Sequence, residues 1–441
     1  MPKLTAMYIN VPLIFIRPLH KPQVMRAEIR ELSHEGFGIA EAGKRKILVP
    51  FTAPGDVVEI RKWHRKKRKL IAHDYEILEY SGERMEPKCP YFGVCGGCLL
   101  QHIPYEKQLE FKREKLKDTL GIEMSIVPSP KIYGHRNRID LVITPQGIGF
   151  RRRGTWWDTV DIDGCEVFGE KSGRALKGLR EFMEDFKLQP WDLKKAQGFL
   201  RYMVLREGKF TGEFMVSLLT DRGSLPEDVE EYFPFADSIY WSINDTKSDV
   251  SYGEPVKFWG REFIREELDG VKYLIHPNSF FQTNSYQAVN LVRKVSEFVE
   301  GTKVLDLYSG VGTFGVYLAK KGFEVEGVEV NPFAVEMARR NVELNDVEAS
   351  FKVGEDKEVE SLRSYDTVVV DPPRAGLHPK LIKKILKDKP ENIVYVSCNP
   401  KTLSENLSTL REQYEIVESE AFDMFPHTPH VEVVIQLRLK V

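Results

Sequence analysis

The sequence predicts an α/β protein with a parallel-sheet domain at its carboxyl end, a small OB-like β-barrel at its amino end and a central α+β region. Three observations carry this. From about residue 271 onward, apolar strands alternate with amphipathic helices, the pattern of a helix-covered parallel sheet. Before residue 80, short runs such as Val24 to Ile29, Ile47 to Val49 and Val57 to Ile60 are punctuated by Gly36, Gly38, Gly43 and Pro54-Gly55, the spacing of a small barrel. At 441 residues the chain exceeds one core and suits two to four domains.

The elements follow in order. Residues 1–80 form the barrel, and a basic run from Arg61 to Lys69, interleaved with Trp63, follows its strands. Ahead of it, Val11 to Ile16 is short, holds Pro12 and meets Arg17-Pro18, which argues against a signal peptide. Residues 81–122 hold Cys89, Cys95 and Cys98, then a charged helix near Tyr105 to Leu120. Residues 123–270 mix strands and helices, among them a strand over Arg138 to Thr144 and a helix over Ser172 to Phe186. Residues 271–441 form the parallel-sheet domain.

Hydrophobic content of 42% supports ordinary globular packing and excludes a largely disordered chain. The net charge of −2 means that any nucleic-acid footprint must come from local clusters. No stretch is long enough to span a membrane. Five unevenly spaced cysteines are too few for a disulfide scaffold and point to metal and chemistry in a reducing, cytoplasmic setting.

The buried-strand pattern Val304 to Tyr308 runs into Ser309-Gly310-Val311-Gly312-Thr313-Phe314-Gly315. Read literally, this is the glycine fingerprint of a dinucleotide site. Asp306, just before the turn, decides against a pyrophosphate, because two negative charges would meet in a half-buried crevice. S-adenosylmethionine instead brings an ammonium and a sulfonium, which a carboxylate favours. Glu329 ends the next strand, where an acidic side chain grips ribose hydroxyls. A dinucleotide site and a purely structural turn are the alternatives.

Two later strands end in polar clusters, Asp371-Pro372-Pro373-Arg374 and Ser397-Cys398-Asn399-Pro400. The carboxyl ends of such strands are the working face of an open α/β sheet. Asp371 as a helix cap is the plainer reading of the first cluster. Cys398 offers a thiol, and Glu432, beyond His427 and His430, offers a base. A thiol, a base and a methyl donor together are what methylation of uracil carbon 5 requires. Thiolate addition at carbon 6 makes carbon 5 nucleophilic, and a base must then remove the carbon-5 proton. The plainer readings are a buried apolar cysteine and a strand-edge glutamate.

With these residues assembled, the chain resembles the RNA 5-methyluridine methyltransferases. The motifs are Ser279-Phe280-Phe281-Gln282-Thr283-Asn284, Asp306 to Phe314, Asp371 to Arg374, Ser397 to Pro400 and His430-Val431-Glu432. The resemblance implies a Rossmann-like S-adenosylmethionine methyltransferase domain with Cys398 as nucleophile and Glu432 as base. It implies cofactor contacts from Gln282, Tyr308, Thr313, Glu329, Asp356 and Asp371, although family members often carry Asn at the position of Thr313. The barrel resembles a TRAM domain, so the basic run is expected to grip RNA phosphates. Arg151-Arg152-Arg153 with Trp156-Trp157 is a second candidate patch.

Cys89-x5-Cys95-x2-Cys98 is a metal-site spacing, and Cys165 is the candidate fourth thiolate. Spacing alone leaves zinc and iron–sulfur open. Resemblance to the cluster-bearing branch of the family favours [4Fe–4S], acting as a structural clamp. The expected partner is RNA, tRNA favoured over large-subunit rRNA, with no membrane and no obligate protein partner. The competing functions are exocyclic-amine methylation, cytosine-5 methylation and a non-catalytic RNA-binding cluster protein. Amine methylation would leave Cys398 and Glu432 without a task.

Overall fold

The computed structural model of the chain describes residues 24–43 and 45–440. The apolar run Val11 to Ile16 and the start of the expected barrel domain lie outside the described residues. The chain forms two compact units that divide between Arg84 and Met85.

The first unit is a closed barrel of five strands in the order β1-β2-β3-β5-β4. These are β1 (Met25–Leu32), β2 (Gly38–Ala42), β3 (Arg45–Val49), β4 (Val57–Lys66) and β5 (Lys69–Glu79). Ile29, Ala40, Ile47, Val49, Val58, Ile60 and Ala72 fill the interior. Gly38 is required there, since a Cβ would stand 2.6 Å from the Ile29 side chain. The basic run, expected after the barrel strands, lies instead within β4, the turn and the start of β5, which pair out to Lys66↔Lys69. A Lys-Arg turn carries no glycine or asparagine signal, so the sequence hides this hairpin.

In the second unit, a seven-stranded sheet includes Arg138–Thr144 between Leu200–Glu207 and Gly147–Arg151. The helix Lys171–Asp185 covers it through Ala175, Leu176, Leu179 and Phe182. A second sheet of eight strands holds the carboxyl half of the chain. Its order is Ala349–Val353, Glu324–Glu329, Lys303–Leu307, Thr367–Val370, Asn392–Ser397, Glu432–Leu439, Tyr414–Phe422 and Ile126–Val127. The first five strands are parallel, and Glu432–Leu439 enters antiparallel. The strands read as unbroken apolar runs because both faces are covered: Val304 packs into one core, Leu305 and Leu307 into the other.

The strand order reverses between Lys303–Leu307 and Thr367–Val370, which makes a crevice at their carboxyl ends. The hairpin Ile264–Leu268 and Val271–Ile275 packs into the core of this sheet, so the boundary expected at residue 270 falls within its turn. Helix α1 (Tyr105–Leu120) ends on Gly121 at φ 67°, whose N–H reaches back to the Lys117 carbonyl.

Candidate active site

Asp306 is fully buried at the end of its strand. Its Oδ2 accepts the Gly315 N–H at 2.9 Å, while Oδ1 has no partner among the described residues. Burial pushes this carboxyl up to about 8, with Asp371 and Glu329 adding to the rise. A buried polar atom without a partner is costly unless something cationic or donating meets it. Gly315 is obligatory, because a Cβ would lie 2.9 Å from Asp306 Oδ2 and 2.8 Å from the Phe351 ring.

The turn itself is open. Tyr308, Gly310 and Gly312 take φ of 63°, 54° and 81°. A Cβ on Gly310 would meet nothing within 4 Å, and the Gly310 N–H donates to Glu329 Oε2 at 3.0 Å. Tyr308 donates its hydroxyl to Asp356, and Thr313 is buried at the start of the helix Thr313–Lys320. Ser309 Oγ is buried beside them without a partner among the described residues. The residues expected to hold S-adenosylmethionine therefore ring one polar cradle with unfilled hydrogen-bonding capacity, which fits that ligand. Asp306 stands beside these residues, near enough to Asp371 and Glu329 for their charges to reach it, and its place before the turn is the sequence signal for it.

Cys398 and Glu432 meet through strand register. Asn392–Ser397 runs antiparallel to Glu432–Leu439 with Ser397 opposite Val433, so the next pair sets Cys398 across from Glu432. Glu432 is near enough to act on the Cys398 thiol by charge. Asp371 ends the strand on the other side, where Val370 pairs with Tyr395. Gln282 Nε2 donates to Asp371 Oδ2 at 3.4 Å. Two loops are tied together here, as Asn399 Nδ2 and Thr402 Oγ1 both donate to the Arg374 carbonyl, at 2.9 and 3.2 Å.

The electrostatics are those of crowded carboxylates. Glu432 is held well above the usual range by burial and by Asp371, and burial pushes Asp371 to about 7. Burial also pushes the Cys398 thiol up to about 11, with Glu432 and Asp371 adding to it. Arg374 opposes this by charge and by a hydrogen bond to the thiol. The motif Asp371 to Arg374 points by sequence to its carboxylate alone; the structure adds its guanidinium as the cation at the thiol.

Cys89, Cys95, Cys98 and Cys165 line one cavity, walled by Phe92, Phe150 and Ile162. Burial raises all four thiols, Cys98 to about 11 and Cys165 to about 12. Among the described residues, no three His, Cys, Asp or Glu side chains gather closely enough to hold a single ion. Gly96 has no room for a Cβ, which would stand 2.6 Å from the Arg151 carbonyl. Arg153 Nη2 donates to the Gly96 carbonyl at 2.7 Å, and Arg151 and Arg152 pair with Asp249 and Asp158. The expected Arg151 to Arg153 patch is therefore largely spent on local structure.

The segment after Cys98 holds the loop that leads to Glu432. The Leu99 and Leu100 N–H groups both donate to the His427 carbonyl, at 2.8 and 3.0 Å. From α1, Gln108 accepts the His427 N–H at 2.9 Å, Lys112 Nζ donates to Asp423 Oδ1 and the Phe425 carbonyl, and Lys115 Nζ donates to the Pro429 carbonyl. Phe425, Pro426 and Thr428 of this loop also wall the cysteine cavity.

Comparison with known proteins agrees with this geometry. Residues 25–82 match the family model for the TRAM domain of tRNA (uracil(54)-C(5))-methyltransferase, and residues 258–440 match that for tRNA (uracil-5-)-methyltransferase. The chain is 60% identical to the tRNA (uracil(54)-C(5))-methyltransferase of Pyrococcus abyssi over 94% of its own length and all of that protein's. It is 44% identical, over 94% of its length and all of the other's, to the 23S rRNA (uracil(747)-C(5))-methyltransferase of the same organism. The crystal structure of the Pyrococcus abyssi tRNA (uracil-54, C5)-methyltransferase with S-adenosyl-L-homocysteine superposes with a TM-score of 0.86 at 58% identity, covering 94% of this chain and all of that one. With barrel, cradle and thiol–carboxylate pair in these places, the chain belongs to the tRNA (uracil-5-)-methyltransferase family.

Proposed function

We propose that the protein transfers a methyl group from S-adenosylmethionine to carbon 5 of a tRNA T-loop uridine, position 54, through a covalent bond between Cys398 and carbon 6. The observation that carries the chemistry is the register that opposes Cys398 and Glu432 beside Asp371. The tRNA assignment rests on 60% identity to the tRNA enzyme against 44% to the rRNA enzyme. A tRNA substrate in turn places the work in the cytoplasm, and among the described residues no helix is long and apolar enough to cross a membrane.

When bound, S-adenosylmethionine supplies an electrophilic methyl and departs as a neutral thioether. Asp306, Glu329, Tyr308, Thr313, Asp356, Gln282 and Asp371 are the residues to hold it. Cys398 adds to carbon 6 as its thiolate, the minor form that Arg374 favours, and places electron density at carbon 5. After methylation Glu432 takes the carbon-5 proton, the sulfur–carbon bond breaks and the thiolate returns to Cys398. The target uridine must leave its stack to reach the crevice.

Cys89, Cys95, Cys98 and Cys165 are assigned to a [4Fe–4S] cluster. Support comes from their shared cavity and from the Cys89-x5-Cys95-x2-Cys98 spacing. Bound there, the group supplies a structural cross-link, since methyl transfer needs no electrons. Labelled-methyl transfer to separated tRNA and rRNA tests the main reading. The expected result is 5-methyluridine at position 54 of tRNA only; label in rRNA alone would overturn the tRNA assignment. Anaerobically purified protein should carry about four irons per chain, and stoichiometric zinc without iron would contradict the cluster.

A further inference from the structure

The wall of the cysteine cavity carries a polar group that folding leaves unsatisfied. Gln101 is 1% exposed and lines the cavity together with Cys89, Cys95, Cys98 and Cys165. Its Oε1 accepts the Cys89 N–H at 3.1 Å. That bond fixes the orientation of the amide, because only its oxygen can accept from an N–H. Nε2 is the end left over, and it is buried without a hydrogen-bond partner among the described residues. A buried donor without an acceptor destabilises the fold, so an acceptor that arrives in the cavity is favoured.

The surroundings say what kind of acceptor this is. Burial raises the Cys98 thiol, and the Gln101 side chain is foremost among the groups that lower it again. Cys95 is served from the backbone instead, since the Gly97 N–H donates to its Sγ at 3.4 Å. Arg136 lines the cavity and acts by charge on Cys98 and Cys165, while Arg153 acts on Cys95. Glu166, in the same wall, is paired with Lys88 at 2.7 Å. Donors and cations around four thiols favour an occupant that leaves negative charge on those sulfurs.

From this we propose that Gln101 donates a hydrogen bond from Nε2 to the Cys98 sulfur once the four cysteines hold the cluster as thiolates. The inference rests on the cluster reading above. It goes beyond that reading by naming a fifth residue, which binds no iron but steadies the charge on a ligand. One amide then serves two ligand cysteines, its oxygen on the backbone of Cys89 and its nitrogen on the sulfur of Cys98. Hydrogen bonds to sulfur favour the reduced, more negative form of such a cluster, so Gln101 raises its reduction potential.

The test uses the full chain purified under nitrogen, with iron content, iron release to a chelator and reduction potential measured for the parent and two variants. Gln101→Met keeps the length of the side chain and removes both donor and acceptor. Gln101→Lys removes the acceptor for the Cys89 N–H but keeps an N–H donor. Gln101→Met should release iron roughly tenfold faster than the parent, the factor that one hydrogen bond to a charged group represents. Its reduction potential should fall, whereas that of Gln101→Lys should stay at or above the parent's. A role confined to the Cys89 N–H predicts instead that both variants change alike, and that result would overturn the donor, as would a Gln101→Met potential equal to the parent's. If Gln101→Met takes up no iron, loading restored in Gln101→Lys supports the donor, and loading lost in both overturns it. A parent that binds no iron would overturn the cluster reading itself, and this inference with it.

Discussion

Burial holds the Asp306 carboxyl at about 8 with one oxygen unpaired, although the same group in an unfolded chain titrates near ~3.9. A carboxyl raised on folding prefers its proton, so its contribution to the stability of the free protein falls as pH rises from about 4 to about 8. A cationic ligand reverses this preference. S-adenosylmethionine should therefore bind with release of a proton, and its affinity should rise with pH up to about 8. Asp306→Asn should weaken binding and remove most of the pH dependence, leaving only the part due to Asp371 near 7. Calorimetry in buffers of different ionisation enthalpy measures the proton directly. Affinity that is flat or falls with pH would show that Asp306 meets no positive charge. At this scale the sequence is informative, since Asp306, Asp371, Cys398 and Glu432 all sit in short motifs at strand ends. What it hides is their mutual charge state, because the crowding of Asp371 and Glu432 depends on strands brought together from distant parts of the chain.

Pairing between elements is where local reading runs out. The periodicity of Asn392–Ser397 and Glu432–Leu439 identifies two strands, but nothing in either says that they are antiparallel neighbours with Ser397 opposite Val433. That register alone brings the thiol to the carboxylate. The same holds for the brace on the Glu432 loop. Lys112 reads as one more charge on a charged helix, yet it is fully buried against Asp423, 311 residues away. Tyr105 donates to the other oxygen of Asp423 at 2.9 Å. Removing one partner of such a pair leaves a buried charge and costs about 3–5 kcal/mol. Lys112→Met should therefore lose about that much stability, whereas Lys112→Met with Asp423→Leu should lose far less, because no charge is left stranded. Chemical denaturation of the two variants gives the comparison, and equal losses would mean that the pair is not a buried ion pair in solution. Both variants give up the Lys112 bond to the Phe425 carbonyl, so both should have a lower kcat through a looser Glu432 loop.

Across the whole molecule, composition and patterning suggest an order of parts, a barrel, a cysteine segment, a mixed region and a parallel sheet, whereas the chain divides into two compact units. They do not reveal that the segment after Cys98 grips the loop before Glu432, which joins the cysteine cavity to the candidate base through backbone hydrogen bonds. A cluster at that cavity would brace catalysis without taking part in it. In the proposed function, turnover depends on Cys398 and Glu432 acting in sequence, the first to open the ring for attack and the second to close the cycle. Blocking only the second step should therefore trap the first. With labelled S-adenosylmethionine and tRNA, Glu432→Gln should give a protein–RNA adduct that survives denaturing electrophoresis and carries the labelled methyl. The adduct should vanish when Cys398→Ala is added. Full turnover by Glu432→Gln with no adduct, or an adduct that persists without Cys398, would contradict this order of events.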